Sequence, residues 1–185
     1  MLPGIEIFAD PFPHVVLNPA LSEDDYAALL TSWPDGAMKS GINPAKAYEV
    51  PPVDFAWKPA LATLFRELLH IQGDPTIGRF ALRHAGYQLL PHLDNISFKA
   101  TIIHYLPYPD QGPDAGTCLY RPEAPFYRSW ANRAAYFHHS QIPCVLVKTV
   151  PFKPNTVLAF PNTPVSAHGL APLTESRRLY QWHFA

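Results

Sequence analysis

Twenty-two prolines in 185 residues constrain this chain more than any other feature. Proline lacks an amide proton and fixes φ, so it interrupts helices and central strands and is tolerated at turns, strand ends and first helical turns. One proline roughly every eight residues (22 in 185) leaves room for many short strands but few long helices. The length suits one domain, residues 1–185, around one core. A formal net charge of −1 provides no field that would favour nucleic acid or an anionic membrane, while leaving room for a locally basic pocket. No run of 18 apolar residues is present, so no transmembrane helix is expected. The opening MLPGIEIFADPFP lacks the basic and apolar regions of a secretory signal. Cys118 and Cys144 form neither a CxxC pair nor a disulfide framework. These features suggest a cytoplasmic protein with reduced cysteines.

Two helices are expected in the first third, residues 1–75. SEDDYAALLTSW opens with Ser22 as an N-cap, carries Glu23, Asp24 and Asp25 where the helix dipole favours anions, and must stop before Pro34. The second begins at Pro59, with Leu61, Leu64, Phe65, Leu68 and Leu69 on one buried face and Gly73 as its stop. His14–Leu17 reads as a strand, and residues 35–56 as a loop with short extended pieces. From residue 76 onward, FALRHA, YQLLPHLD, FKATIIHYL, TCLYR, VLVKTVPF, TVLAFP and RRLYQWHF alternate with Pro, Gly, Asn and Asp. These are strand signals, with a helical pattern only around 127–139. Helices followed by many short strands imply a mainly β fold: N-terminal helices packed on an antiparallel sandwich or jelly roll.

Within QLLPHLDNISF, residues 88–98, His92 and Asp94 lie between apolar runs. On a strand, residues i and i+2 face the same way, so both side chains can reach one ion. The pair alone is weak, because 9 histidines and 15 acids produce about one such pair by chance. The context arrives 76 residues later: KPNTVLAFPNTPVSAHGL carries an apolar strand, a polar turn and His168. Two histidines and one carboxylate on one face of an octahedron are the ligand set of non-haem iron(II) oxygenases and leave positions open for O2. A structural zinc site would close its tetrahedron, usually with thiolates. Arg177 and Arg178 follow nine and ten residues after His168, suited to bidentate capture of a dicarboxylate co-substrate. On that strand Arg178 shares a face with Tyr180, Trp182 and Phe184, and Arg177 with Leu179, Gln181 and His183. Taking the aromatic face as the interior selects Arg178 ahead of Arg177.

These elements resemble the 2-oxoglutarate- and iron(II)-dependent oxygenases, on the prolyl-hydroxylase-like side. AGYQLLPHLDN matches a Gly-x-x-x-x-x-His-x-Asp element through Gly86, His92 and Asp94. TIIHYLP, GTCLY, KPNTVLAFPNTPVSAHGL and RRLYQWHF then follow in the family's order, and FPHVVLNPALSEDDYAALLTSWP resembles its lead-in strand and helix. Thr117 replaces the second glycine of a Gly-Gly-x-Leu turn, and Pro107 stands where Asn is common; both departures are conservative. Residues 120–150 exceed the usual connection between those strands. The resemblance implies a double-stranded β-helix (jelly-roll, cupin-like) core over 76–185 with an insertion at 120–150. It also implies Fe(II) held by His92, Asp94 and His168, 2-oxoglutarate as co-substrate, and consumption of O2 with release of CO2 and succinate as a substrate is oxidised.

Tyr87 and Tyr105 are candidate walls of the co-substrate pocket, with core packing as the alternative. Asn95 either orients Asp94 or serves a turn. Arg121, Tyr127, Arg128, Trp130, Tyr136, His138 and His139 form either a lid and recognition surface or an ordinary surface loop. His84, His104 and His183 read as structural or exposed rather than as ligands. The substrate, a small molecule or a side chain, is not encoded, and the absence of a docking domain favours a small molecule. A homodimer stays open. Two competing readings are a cupin-like metal enzyme that does not use 2-oxoglutarate and a non-catalytic binding module on the same scaffold.

Overall fold

The computed structural model describes residues 4–34, 38–40, 45–49, 54–127, 135–136 and 140–185. Among them the elements run β1 (Ile5–Phe8), β2 (His14–Leu17), α1 (Glu23–Thr31), β3 (Lys39–Ser40), β4 (Lys46–Glu49), α2 (Lys58–Leu69), β5 (Arg79–Arg83), β6 (Leu89–Leu93), β7 (Ala100–Tyr105), a 3-10 turn at Pro113–Ala115, β8 (Thr117–Pro122), β9 (Ala135–Tyr136), β10 (Cys144–Val150), β11 (Val157–Pro161), β12 (His168–Leu170) and β13 (Arg177–Phe184). The larger sheet has the order β1-β2-β11-β7-β13-β5-β4-β3 and the smaller β10-β8-β12-β6-β9. Facing each other, the two antiparallel sheets make a double-stranded β-helix.

The molecule is three layers deep. Leu29 of α1 and Leu61, Phe65 and Leu69 of α2 pack with Ile102, Val157, Ala159, Tyr180, Trp182 and Phe184 on the outer face of the larger sheet. Its inner face, with Ile103, Tyr105, Leu158, Phe160 and Leu179, meets Leu119 and Leu170 of the smaller sheet. A sheet buried on both faces loses the apolar–polar alternation of a half-exposed one. TIIHY on β7 and VLAF on β11 are accordingly apolar almost throughout.

Proline acts where the sequence suggests. Pro59 occupies the first turn of α2, and Pro122 and Pro161 end β8 and β11. Pro91 lies inside β6 at an irregularity: His92 pairs with His168 and Leu89 with Leu170, so β6 holds one residue more than β12 between the pairs. A bulge is one of the few strand positions that tolerates proline.

Several expectations need correction. Helix α2 stops at Leu69 because His70 takes the left-handed conformation (φ 52°), not at Gly73. Gly73 (φ +94°) instead meets the C-terminus, where an added Cβ would stand 2.2 Å from the Ala185 carbonyl oxygen. Within 35–56 the short extended pieces are β3 and β4, as expected, and β4 completes a wall of the site described below. Of the helical pattern at 127–139, residues 135–136 form strand β9 and 128–134 and 137–139 lie outside the described residues. Among the described residues, no helix is long and apolar enough to cross a membrane. Cys118 and Cys144 are both free thiols.

Candidate metal centre and its cavity

His92 on β6 and His168 on β12 are directly paired across the smaller sheet, and Asp94 follows one residue after β6 ends. One ligand atom from each of the three lies within 4.8 Å of the others. His92 Nε2 is 3.6 Å and His168 Nε2 3.5 Å from the Asp94 carboxylate oxygens. Both imidazoles are anchored through the other nitrogen: His92 Nδ1 lies 3.2 Å from the Leu90 carbonyl and His168 Nδ1 3.0 Å from that of Ser166. A ring that donates through Nδ1 presents the Nε2 lone pair to the cluster, the tautomer a metal ligand requires. Asp94 is held by the Thr101 hydroxyl, which donates to it in a very short contact. Burial opposes ionisation of Asp94, but the His168 and His92 rings, when protonated, outweigh it and hold the carboxyl well below the usual carboxylate range; a bound cation would take over that role between neutral rings.

Local backbone makes this meeting possible. The bulge at Leu90–Pro91 brings the β6 backbone against Gly169, where an added Cβ would stand 2.4 Å from the Leu89 carbonyl oxygen. Glycine right after His168 lets β12 approach β6 closely enough for the two rings to sit 4.3 Å apart, centroid to centroid.

The cluster opens into a cavity of about 210 Å³, whose lining includes Thr117, Arg177, Leu179 and Gln181. Arg177 is 3% exposed and donates to Thr117 Oγ1 at 2.8 Å. Its guanidinium lies 5.1 Å from the Tyr105 ring and 5.2 Å from Phe152, and its Nε has no hydrogen-bond partner among the described residues. Burial lowers it from 12.5 to about 10, with Tyr105 raising it and Arg83 adding to the drop; it stays charged at neutral pH. Thr117 Oγ1 also accepts from Tyr105 Oη at 2.8 Å, and that hydroxyl accepts from Thr117 N at 3.2 Å. With both lone pairs used, the Thr117 proton is left to donate.

The face assignment on β13 reverses. Arg178 projects to the helix side, donating to the Leu106 and Pro107 carbonyls at 3.1 and 3.0 Å and lying 4.0 Å from the Tyr108 ring and 5.3 Å from Trp33. The aromatic face of β13 is buried as expected, but beneath the helices; the barrel interior is the other face, and Arg177 is the arginine on it. Tyr87 lines the cavity with a buried hydroxyl that has no partner among the described residues. Tyr105 stands behind Thr117 rather than on the cavity wall. Asn95 belongs to a turn, its Oδ1 accepting from the backbone and hydroxyl of Ser97 at 3.0 Å each.

Of the other histidines, His104 accepts from Trp182 Nε1 at 3.0 Å and is lowered to about 3 by burial. His183 stacks on Phe98 at 3.8 Å and is lowered to about 4, again by burial. His84 is exposed. Tyr127 is 80% exposed, and Arg121 pairs with Asp10 at the surface. Arg128, Trp130, His138, His139 and the side chain of Tyr136 lie outside the described residues.

Sequence reasoning missed Thr101, Thr117, Lys46, Arg79 and Arg83. Strand alternation in RFALR would have put Arg79 and Arg83 on one face, whereas Lys46 sits in a stretch without period and sent no signal.

The architecture has counterparts among solved structures. HygX from Streptomyces hygroscopicus, solved with nickel, 2-oxoglutarate and hygromycin B, is 15% identical over 91% of this chain and 81% of its own, with a TM-score of 0.61. A Trichoplax adhaerens prolyl hydroxylase, solved with a hypoxia inducible factor peptide, is 14% identical over 92% and 83%, also at 0.61. A Pseudomonas putida prolyl-4-hydroxylase is 14% identical over 92% and 91%, at 0.56. No family model matches the sequence. No curated protein matches it either.

Proposed function

We propose that this chain is an Fe(II)- and 2-oxoglutarate-dependent dioxygenase of the prolyl-hydroxylase-like group. It oxidises a small-molecule substrate and releases succinate and CO2. One observation carries the reading: the His92–Asp94–His168 set and the buried, incompletely bonded Arg177–Thr117 pair share one cavity. The donor set fits iron(II), with two neutral imidazole nitrogens and one carboxylate that leave half of an octahedral sphere free. When bound, iron and 2-oxoglutarate supply O2 activation and the oxidising power.

The protein's own groups bind, orient and exclude water. His92 Nε2, His168 Nε2 and Asp94 hold the metal. Leu90 and Ser166 fix the two ring orientations through their carbonyls, and Thr101 fixes the carboxylate. Arg177 and the spare Thr117 proton take the co-substrate's distal carboxylate, with Tyr105 locking Thr117 in place. Leu89, Ile103, Leu170 and Leu179 line the cavity and keep its dielectric low, which strengthens each of these contacts. HygX, with the same fold and with nickel and 2-oxoglutarate bound, supports the reading, and two free thiols support a cytoplasmic setting.

Anaerobic addition of Fe(II) and 2-oxoglutarate should produce a weak visible charge-transfer band that His92→Ala abolishes, and aerobic incubation should release succinate. Metal uptake without 2-oxoglutarate binding in calorimetry would instead identify a cupin-like enzyme of another kind. Binding of both without any succinate would leave a non-catalytic module.

A further inference from the structure

The cavity holds more positive charge than the proposed reaction uses. Arg177, Arg83 and Lys46 stand directly opposite one another on β13, β5 and β4, through the register pairs Arg177–Arg83 and Arg83–Lys46. Residues paired in this way point to the same face about 5 Å apart, and like charges so placed repel. Arg79 lies on the same face of β5, four residues before Arg83, and all four cations line the cavity. Among the described residues Asp94 is the one carboxylate lining it, and Asp94 already faces two histidines.

Aromatic rings hold these cations without neutralising them. Arg79 and Arg83 each lie 4.6 Å from the Tyr48 ring. Lys46 and Arg83 lie 5.2 and 5.7 Å from the Tyr87 ring. Among the described residues, Arg79 Nε and Tyr87 Oη have no hydrogen-bond partner although buried. A divalent ion, Asp94, doubly charged 2-oxoglutarate and Arg177 together are neutral, which leaves Lys46, Arg79 and Arg83 unmatched by any carboxylate among the described residues.

We propose that Lys46, Arg79 and Arg83 form the substrate subsite, and that the substrate is a small oxyanion, a carboxylate or phosphate ester, held by its charged end against β4 and β5. The inference rests on the oxygenase reading. Guanidinium forks give bidentate geometry to carboxylate and phosphate alike, so both chemistries enter the test. Arg79 and Arg83 on β5 lie one strand from Arg177 on β13, and Lys46 on β4 lies two strands away, so an anion centred on Lys46, Arg79 and the outer side of Arg83 sits beside the one on Arg177 rather than in its place.

The test is calorimetric titration of inorganic phosphate, hexanoate and uncharged hexanamide into protein saturated with Ni(II) and 2-oxoglutarate, and separately into metal-free protein. Phosphate or hexanoate should bind and hexanamide should not; the stronger of the two anions identifies the ester or the acid. Arg83→Gln and the more exposed Lys46→Met should each weaken that anion at least tenfold while leaving 2-oxoglutarate affinity within threefold. Absence of anion binding, or equal binding by wild type and both variants, overturns the proposal. Equal weakening of anion and 2-oxoglutarate also overturns it, since the cations would then serve the co-substrate. Failure of the oxygenase reading shows separately, as wild-type protein that takes no 2-oxoglutarate, while the metal-free titration still reports on the cations.

Discussion

Arg177→Met should stabilise the unliganded protein and cripple co-substrate binding, two effects of opposite sign from one atom group. Holding the guanidinium in its buried site lowers it from 12.5 to about 10, which corresponds to roughly 3 kcal/mol against the charged form. Methionine removes that cost and fills the aliphatic part of the space. Lost with the guanidinium are its hydrogen bond to Thr117 and its ring contact with Phe152, together about 2 kcal/mol; the Tyr105 interaction is already contained in that lowering. The balance is a gain of about 1 kcal/mol, or a Tm rise of about 2–4 °C for a chain of this length. Against this stands the proposed pair of charge-assisted hydrogen bonds to the distal carboxylate of 2-oxoglutarate, each about 1.5–3 kcal/mol. Their loss raises Kd by about a hundredfold or more. Thermal unfolding without metal or co-substrate reads the first effect, and calorimetry on Ni(II)-loaded protein reads the second. A variant with a lower Tm and unchanged 2-oxoglutarate affinity would mean that Arg177 is only a structural cation, and the placement of the co-substrate would be wrong.

Asp94→Ala should abolish tight Ni(II) or Co(II) uptake, seen by metal titration, and leave the far-ultraviolet circular dichroism unchanged. Thr101→Val, which removes the donor to Asp94, should weaken the same metals about 10–100-fold. Gly169→Ala should act similarly without touching a ligand, because a Cβ 2.4 Å from the Leu89 carbonyl forces β12 away from β6; unchanged metal affinity would show that the close approach is dispensable. The pH dependence of stability has a defined sign. His104 is lowered by burial from 6.5 to about 3, so the unfolded chain takes its proton first. Its contribution is intact above pH 6.5 and is lost as pH falls towards 3, by about 1.4 kcal/mol per pH unit. Urea unfolding between pH 6.5 and 4 should show a slope that His104→Gln reduces; equal slopes in the two proteins would refute the assignment.

The sandwich of helices, larger sheet and smaller sheet explains which inferences from strand periodicity succeed. The smaller sheet carries His92 and His168 on a face directed at the cavity, and there the i, i+2 rule correctly joins His92 to Asp94. The larger sheet is covered on both sides, so β13 presents aromatic residues to the helices and Leu179 to the facing sheet. Hydrophobicity cannot rank two buried faces, and the choice between Arg177 and Arg178 requires knowing which side the helices occupy.

By itself the sequence determined helices α1 and α2, most of the strands, the antiparallel β class and the three metal-ligand candidates. All depend on local constraints: proline's fixed φ, the Ser22 cap, the Pro59 helix start and the two-residue repeat of a strand. Tertiary structure alone decided that Arg177 rather than Arg178 enters the cavity and that Thr117 is more than a replaced glycine. It also aligned Lys46, Arg83 and Arg177 across three strands that are distant in the chain. Register between such strands is set by the summed packing of both sheet faces, a property of the whole core that no single segment carries.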